Sequence, residues 1–182
     1  DNIDVMQPRV ERIIKRQRGI AVEPFYNRVM DFALEFHVGK HGVAYNGISV
    51  FATSSTGAYT GNYVSDEPCL KRRIPEALQG YLSDVRKNLQ RHLQNVYSQG
   101  YSGPLGVDMM VVEHKGEKYI HPCVEVNLRQ TMGNVCVSLR SQLRRGAAIY
   151  RLRPVGDTTE ATLVLTPCAK RIEAVLQTEE AE

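Results

Sequence analysis

Two carboxylates and one amide fall at spacings that could hold a hard metal cation: Asp108, Glu125 and Asn127. Glu125 and Asn127 are two residues apart, and side chains two apart on a strand share a face. Asp108 lies in the apolar run Gly103-Pro-Leu-Gly-Val-Asp-Met-Met-Val-Val, and the other two lie in His121-Pro-Cys-Val-Glu-Val-Asn-Leu-Arg. A turn at Lys115-Gly116-Glu117 makes the two runs a hairpin and brings Asp108 alongside its partners. Such oxygen ligands are the kind Mg²⁺ prefers. Arg129 continues the alternation, and an Arg beside an acidic cluster suits the clamping of phosphate or carboxylate. The bland alternative is a solvated strand face with no function. Leu105, Val107, Met109 and Val111, with Ile120, Cys123, Val124 and Val126, weigh against it. Charge within apolar strands is costly unless it is paired or metal-bound.

The elements that must position this hairpin can be read in order. Residues 8–18 read as a short basic helix, with Pro8 at its first position and Gly19 as its stop. Its arginines and lysine suit a solvated face better than a nucleic-acid patch. Residues 20–24, Ile-Ala-Val-Glu-Pro, read as a strand ended by Pro24. Met30 to Val38 is a second strand, with Phe32, Leu34 and Phe36 on one side and Asp31, Ala33, Glu35 and His37 on the other. Val43 to Thr53 is a third, with Gly47 marking a bulge or close approach. Residues 20–53 thus form an antiparallel meander.

Ser54 to Asn62 reads as a polar, Gly-rich loop, a composition that suits either a plain connection or a ligand loop. Pro75 to Gln99 is a long amphipathic helix with Leu78, Leu82, Val85, Leu89, Leu93 and Val96 as its stripe and Gly100 as its cap. After the hairpin, a helix starts at Thr131-Met-Gly-Asn and runs to about Arg145. A strand pair, Ala148 to Val155 and Thr162 to Pro167, closes the fold around Gly156-Asp157. The acidic tail from 169 to 182 reads as a frayed helix at most. The fold class is α+β, an antiparallel sheet flanked by helices.

Bulk properties bound the function. A chain of 182 residues can bury one substantial core. No apolar run approaches the roughly 20 residues of a membrane span, and the opening Asp-Asn-Ile-Asp is no secretory leader. Cys69, Cys123, Cys136 and Cys168 make no CxxC pair, which argues against zinc and thioredoxin-like chemistry. Reduced thiols in a cytoplasmic protein are the default, with Cys123 and Cys136 as small core residues. A net charge of +3 does not call for nucleic acid.

The order of parts resembles the C-terminal part of ATP-grasp enzymes over roughly residues 18–147. The resemblance rests on the hinge Val22-Glu23-Pro24-Phe25, the meander, the long helix, the Gly-Val-Asp strand and Glu125-x-Asn127-x-Arg129. It implies an ATP- and Mg²⁺-dependent ligase that activates a carboxylate as an acyl phosphate for attack by an amine or thiol. On it, Asp108, Glu125 and Asn127 match the magnesium ligands, with Glu125 bridging two ions, and Arg129 matches the catalytic arginine at substrate or phosphoryl group. Glu23, Pro24, Phe25 and Tyr26 match the adenine hinge, Asp31 the ribose acid, and Met110 a wall of the adenine pocket. Arg129, Asn134 and the loop of residues 57–62 are candidates for the second substrate, with Asn134 read more readily as a helix-start residue.

The family's Gly-rich phosphate loop and phosphate lysines have no counterpart in this sequence. The expectation is therefore a partial ATP-grasp domain over residues 1–168, a fragment whose N-terminal phosphate-binding lobe is its missing partner and which is inactive alone. Two other readings stay open: a non-catalytic ATP-grasp-like binding module, and a basic nucleic-acid-binding domain. The acceptor, the carboxylate and the oligomeric state are not legible.

Overall fold

The computed structural model describes residues 3–54, 57–97, 100–143, 147–155 and 158–166. Alternation in one central strand sets the architecture. In β1 (Asn27–Gly39), Phe32, Leu34, Phe36 and Val38 are fully buried on one face. Asp31, Ala33 and Glu35 therefore occupy the other. β1 pairs with β2 (Gly42–Thr53) on one side and β4 (Gly103–His114) on the other. The remaining strands are β3 (Tyr59–Val64), β5 (Glu117–Asn127), β6 (Ala147–Val155) and β7 (Thr158–Thr166). All seven form one sheet in the order β5-β4-β1-β2-β3-β6-β7, every pairing antiparallel. The α+β class expected from the sequence is present.

Each face carries its own helix. The apolar face of β1, β2 and β4 packs against Leu78, Leu82 and Leu93 of α3 (Glu76–Tyr97), with Ile74 and with Leu70 of the short α2 (Glu67–Lys71). The opposite face carries the polar residues of β1 and receives α4 (Met132–Leu139), followed by a 3-10 turn, Arg140–Gln142. Cys136 of α4 joins Val64, Ala148 and Tyr150 in a second, smaller apolar cluster, with Val135, Leu139 and Leu143 packed around it. Val96 is solvent-exposed rather than part of the α3 stripe.

Several expected boundaries move. The first helix, α1, spans Ile3–Gln17 with Pro8 inside it, and Arg18 in a left-handed conformation ends it ahead of Gly19. Residues 19–26 join no strand. Both edges of β1 are already paired, and Pro24 removes a donor a ladder would need. The expected loop of Ser54 to Asn62 ends sooner, because Tyr59 opens β3, which pairs with β2 and then with β6. Cys123 is exposed, whereas Cys136 is buried as expected. The tail beyond Thr166, and the turn at 156–157, lie outside the described residues.

Gly47 marks a real irregularity. The register shifts between Glu35 and Phe36, so that Asn46 of β2 is the extra residue. The Arg140 guanidinium stands where a Gly47 side chain would be, 2.9 Å from the missing Cβ, and donates to the Asn46 carbonyl at 3.0 Å. The bulge thereby ties the end of the α4 segment to the sheet.

Candidate functional site

The hairpin forms as its turn chemistry dictates. Lys115 and Gly116 both have positive φ, 52° and 81°, the two-residue turn that matches strand twist. Across it, Asp108 faces Glu125 and Gly106 faces Asn127. Pro122, Cys123 and Val124 lie opposite Met109 alone, between the Asp108–Glu125 and Met110–His121 pairs. This bulge keeps the parity, so His121, Glu125 and Asn127 stay on one face with Asp108 and Met110. The neighbouring β1 adds Asp31 opposite Met110 and Ala33 opposite Asp108.

The two acids and the amide therefore meet. Asn127 Nδ2 donates to Asp108 Oδ2 at 3.2 Å and to Glu125 Oε2 at 3.4 Å. Burial pushes the Asp108 carboxyl up to about 6, and the facing Glu125 charge pushes the same way. The Asn127 bond and Arg129 oppose it, and Asp31 adds to the repulsion. Two carboxylates held in mutual repulsion on a half-buried surface are a donor set a divalent cation would relieve. Asn127 would turn its amide to present Oδ1, a half-rotation that heavy-atom positions do not distinguish. The residues fit Mg²⁺ in type. Two carboxylates and an amide are fewer than three acidic or imidazole ligands, and among the described residues no group of three or more His, Cys, Asp or Glu placed to hold a metal ion is present, here or elsewhere.

Arg129 lies just beyond β5 and is exposed. With Asp108 and Asn127 it lines a cavity of about 240 Å³ that also includes Glu35, Phe51, Tyr59 and Met132. Asp31 sits on the same face but is already engaged: Thr53 Oγ1 donates to it at 2.7 Å, and Arg28 pairs with it at 3.2 Å.

The hinge residues are split. Phe25 and Tyr26 border a separate hollow of about 600 Å³ with Val112, Tyr119 and His121, and the Tyr26 and His121 rings are 5.2 Å apart. Glu23 and Pro24 are exposed and line neither cavity, as does the half-buried Met110, which stands between Asp31 and His121 in the sheet. Phe25 is fully exposed.

Sequence reasoning placed Glu35 on the right face without giving it a role. It is 1% exposed and accepts hydrogen bonds from Ser49 Oγ at 3.0 Å, Thr131 Oγ1 at 2.9 Å and Asn134 Nδ2 at 2.7 Å. Burial lifts its carboxyl to about 7, against the lowering effect of the Thr131 and Ser49 bonds. Thr131 also caps α4 by accepting from the Asn134 N–H at 2.9 Å. Asn134 is thus a helix-start residue bonded to Glu35. The signal for this network was the alternation that put Glu35 beside Asp31.

No family model matches the sequence. No curated protein matches it either. Solved structures show a likeness in part, one of them at a TM-score of 0.50. Pyruvate carboxylase from Rhizobium etli superposes with a TM-score of 0.50 at 12% identity, over 87% of this chain and 21% of that one. A protein from Archaeoglobus fulgidus assigned to the ATP-grasp superfamily gives 0.45 at 15%, over 78% of this chain and 47% of that one. Urea carboxylase from Kluyveromyces lactis gives 0.43 at 14%, over 94% and 19%. The chain spans less than half the length of each of these solved chains. At these identities the likeness is one of fold. No helix among the described residues is long and apolar enough to cross a membrane.

Proposed function

We propose that this chain supplies the metal-binding half of an ATP-grasp-type site that activates a carboxylate with ATP. The observation that carries the reading is the meeting of Asp108, Glu125 and Asn127 on one sheet face, with Arg129 at the adjoining cavity. The reaction balances simply. A carboxylate oxygen of the substrate attacks the γ-phosphorus, the bond to the ADP oxygen breaks, and an amine or thiol then displaces phosphate from the acyl phosphate. Asp108, Glu125 and Asn127 would hold up to two Mg²⁺ ions, which neutralise phosphate oxygens when bound. Arg129 orients the substrate carboxylate or the transferring phosphoryl group.

In this reading the hollow at Phe25, Tyr26 and His121 receives the adenine, and Asp31 reaches the ribose by giving up its bond from Thr53. The phosphate loop and lysines come from a further lobe of a larger protein, in keeping with the small share of each solved chain that this one spans. The chain alone then binds Mg-ATP weakly and does not turn over.

A second reading, a binding module without turnover, is favoured by Asn127 donating to both acids and by Asp31 being occupied, since both close the site upon itself. Mg-ATP hydrolysis by the full-length protein, with and without Glu125→Gln, separates the two. The ligase reading expects activity that the substitution abolishes. Binding without hydrolysis supports the module, and hydrolysis unchanged by Glu125→Gln removes the metal site.

A further inference from the structure

The cavity beside the acids limits what the substrate can be. Its volume, about 240 Å³, lies below the ~300–1,000 Å³ of pockets that enclose drug-sized ligands. Its floor cannot recede. Gly133 and Gly106 lie so close to the Glu35 carboxylate that a Cβ at Gly106 would stand 2.8 Å from Oε2, and one at Gly133 would overlap Oε1 and Ser49 Oγ. Glu35 is held there by its three donors. The cavity is open to solvent on one side, so the closed floor limits the part of a ligand that is seated in it.

The charges along the lining are asymmetric. Among the described lining residues Arg129 is the single cation, and it stands on the side of Asp108 and Asn127. Glu35 has no ion-pair partner among the described residues, so the floor offers nothing to a second anion. One carboxylate has a partner, and another would meet a buried acid. The remaining wall mixes apolar groups with polar ones already engaged: Thr53 Oγ1 donates to Asp31 and Asn62 Nδ2 to the Val50 carbonyl, while the Phe51 and Tyr59 ring centroids are 6.4 Å apart, tilted by 41°, and Met132 lies at the start of α4.

We propose that the acid activated here is a compact monocarboxylate of about amino-acid size, with a flat or apolar, neutral or cationic body held between Phe51, Tyr59 and Met132 and its single carboxylate at Arg129. Dicarboxylates are disfavoured because the lining offers one cation, Arg129, and a buried acid behind it. The proposal rests on the ATP-grasp reading for its reaction, but its binding site does not.

Ligand-observed NMR on the full chain tests it without any turnover, using 3-phenylpropionate and phenylalanine against succinate, glutarate and 3-phenylpropanol, with and without Mg-ADP. The expected result is saturation transfer to the ring protons of the two aromatic acids. Transfer to the dicarboxylates and the alcohol is expected to be at least tenfold weaker. Arg129→Gln, at an exposed position, is expected to weaken the acids at least fivefold, and Tyr59→Leu to weaken them while leaving the fold intact. Succinate binding as well as 3-phenylpropionate, or no acid binding in either nucleotide condition, overturns the substrate class. Titration of Mg-ATP into the same sample reports on the ATP-grasp reading separately, so the two can fail independently.

Discussion

Asp108 and Glu125 face each other directly across β4 and β5, and the Asn127 amide donates to both of them. Like charges opposite one another on a sheet are destabilising. The pair is tolerated because the amide bridges it and because Asp108 takes up a proton more readily than an ordinary carboxyl, at about 6. A sheet selected for stability alone has no reason to place two acids in register there.

That repulsion gives the first prediction. At pH 7.5 in the absence of divalent ions, Asp108→Asn is expected to raise the melting temperature, because it removes the like-charge contact and keeps the shape. Mg²⁺ at ten times its dissociation constant is expected to stabilise the wild-type chain by about 1.4 kcal/mol through mass action, and the variant far less. Thermal melts across a Mg²⁺ series, with Ca²⁺ alongside, check both. A metal response equal in the two proteins would remove Asp108 from the site.

Glu35 gives the second. Replacing it with Ala removes the acceptor of three buried donors and leaves a void beside Gly133. A cost of about 2–4 kcal/mol is expected in urea unfolding. Gln fits better. Its amide oxygen can face Thr131 and Asn134 while its NH₂ faces Ser49, whose hydroxyl turns to accept. At pH 5 Glu35→Gln is expected to cost no more than about 1 kcal/mol. Equal losses for Ala and Gln would show that the network is not what holds α4 to the sheet.

How much of this was legible depended on distance along the chain. The hairpin was readable because Lys115-Gly116 fixes its turn and its apolar alternation fixes its faces, all within 25 residues from Gly103 to Asn127. Asp108, Glu125, Asn127 and Arg129 followed from that register. The Glu35 network was not readable as a network. Its partners Thr131 and Asn134 lie 96 and 99 residues away, and only the sheet order brings β1 under α4. β3 was hidden by composition: Tyr59-Thr-Gly-Asn-Tyr-Val follows a Ser/Thr/Gly run and carries two turn-favouring residues inside a strand. Tertiary pairing on both sides overrode that local preference. The reverse error occurred at residues 20–24, where β-favouring residues pair with no strand; the adjoining β1 has both its edges taken by β2 and β4.

The third prediction concerns pH. The Glu35 carboxyl titrates near 7 in the folded chain against an ordinary 4.5. A carboxyl raised on folding stabilises most when protonated. Its contribution is complete below 4.5 and is lost as pH rises through about 7. Each pH unit between the two values is worth ~1.4 kcal/mol, so about 3 kcal/mol of unfolding free energy is expected to disappear between pH 4.5 and pH 8 from this group. Glu35→Gln has no such group. Its stability is expected to fall less over the same range, and the two curves to cross, with the variant the more stable at pH 8. Parallel curves would mean that Glu35 is not the titrating residue.

The fourth sets two glycines in helices against each other. Gly80 lies on the exposed side of α3, and a Cβ there would meet nothing within 4 Å. Gly80→Ala is expected to stabilise by about 0.5–1 kcal/mol through helix propensity alone. Gly133 lies in the first turn of α4, where a Cβ would overlap Glu35 Oε1 and Ser49 Oγ. The helix cannot retreat without breaking the Thr131 and Asn134 bonds to Glu35, so Gly133→Ala is expected to cost more than about 3 kcal/mol. Combining Gly133→Ala with Glu35→Ala removes the clash with the carboxylate and frees the Ser49 hydroxyl, which loses its acceptor, to turn away from the new methyl. The double variant is expected to be more stable than the sum of the single losses by at least 1 kcal/mol, about twice the departure seen for independent sites. Urea unfolding of the four proteins measures the coupling. Simple additivity would show that Gly133 and Glu35 do not meet, and that the cavity floor is not closed as described.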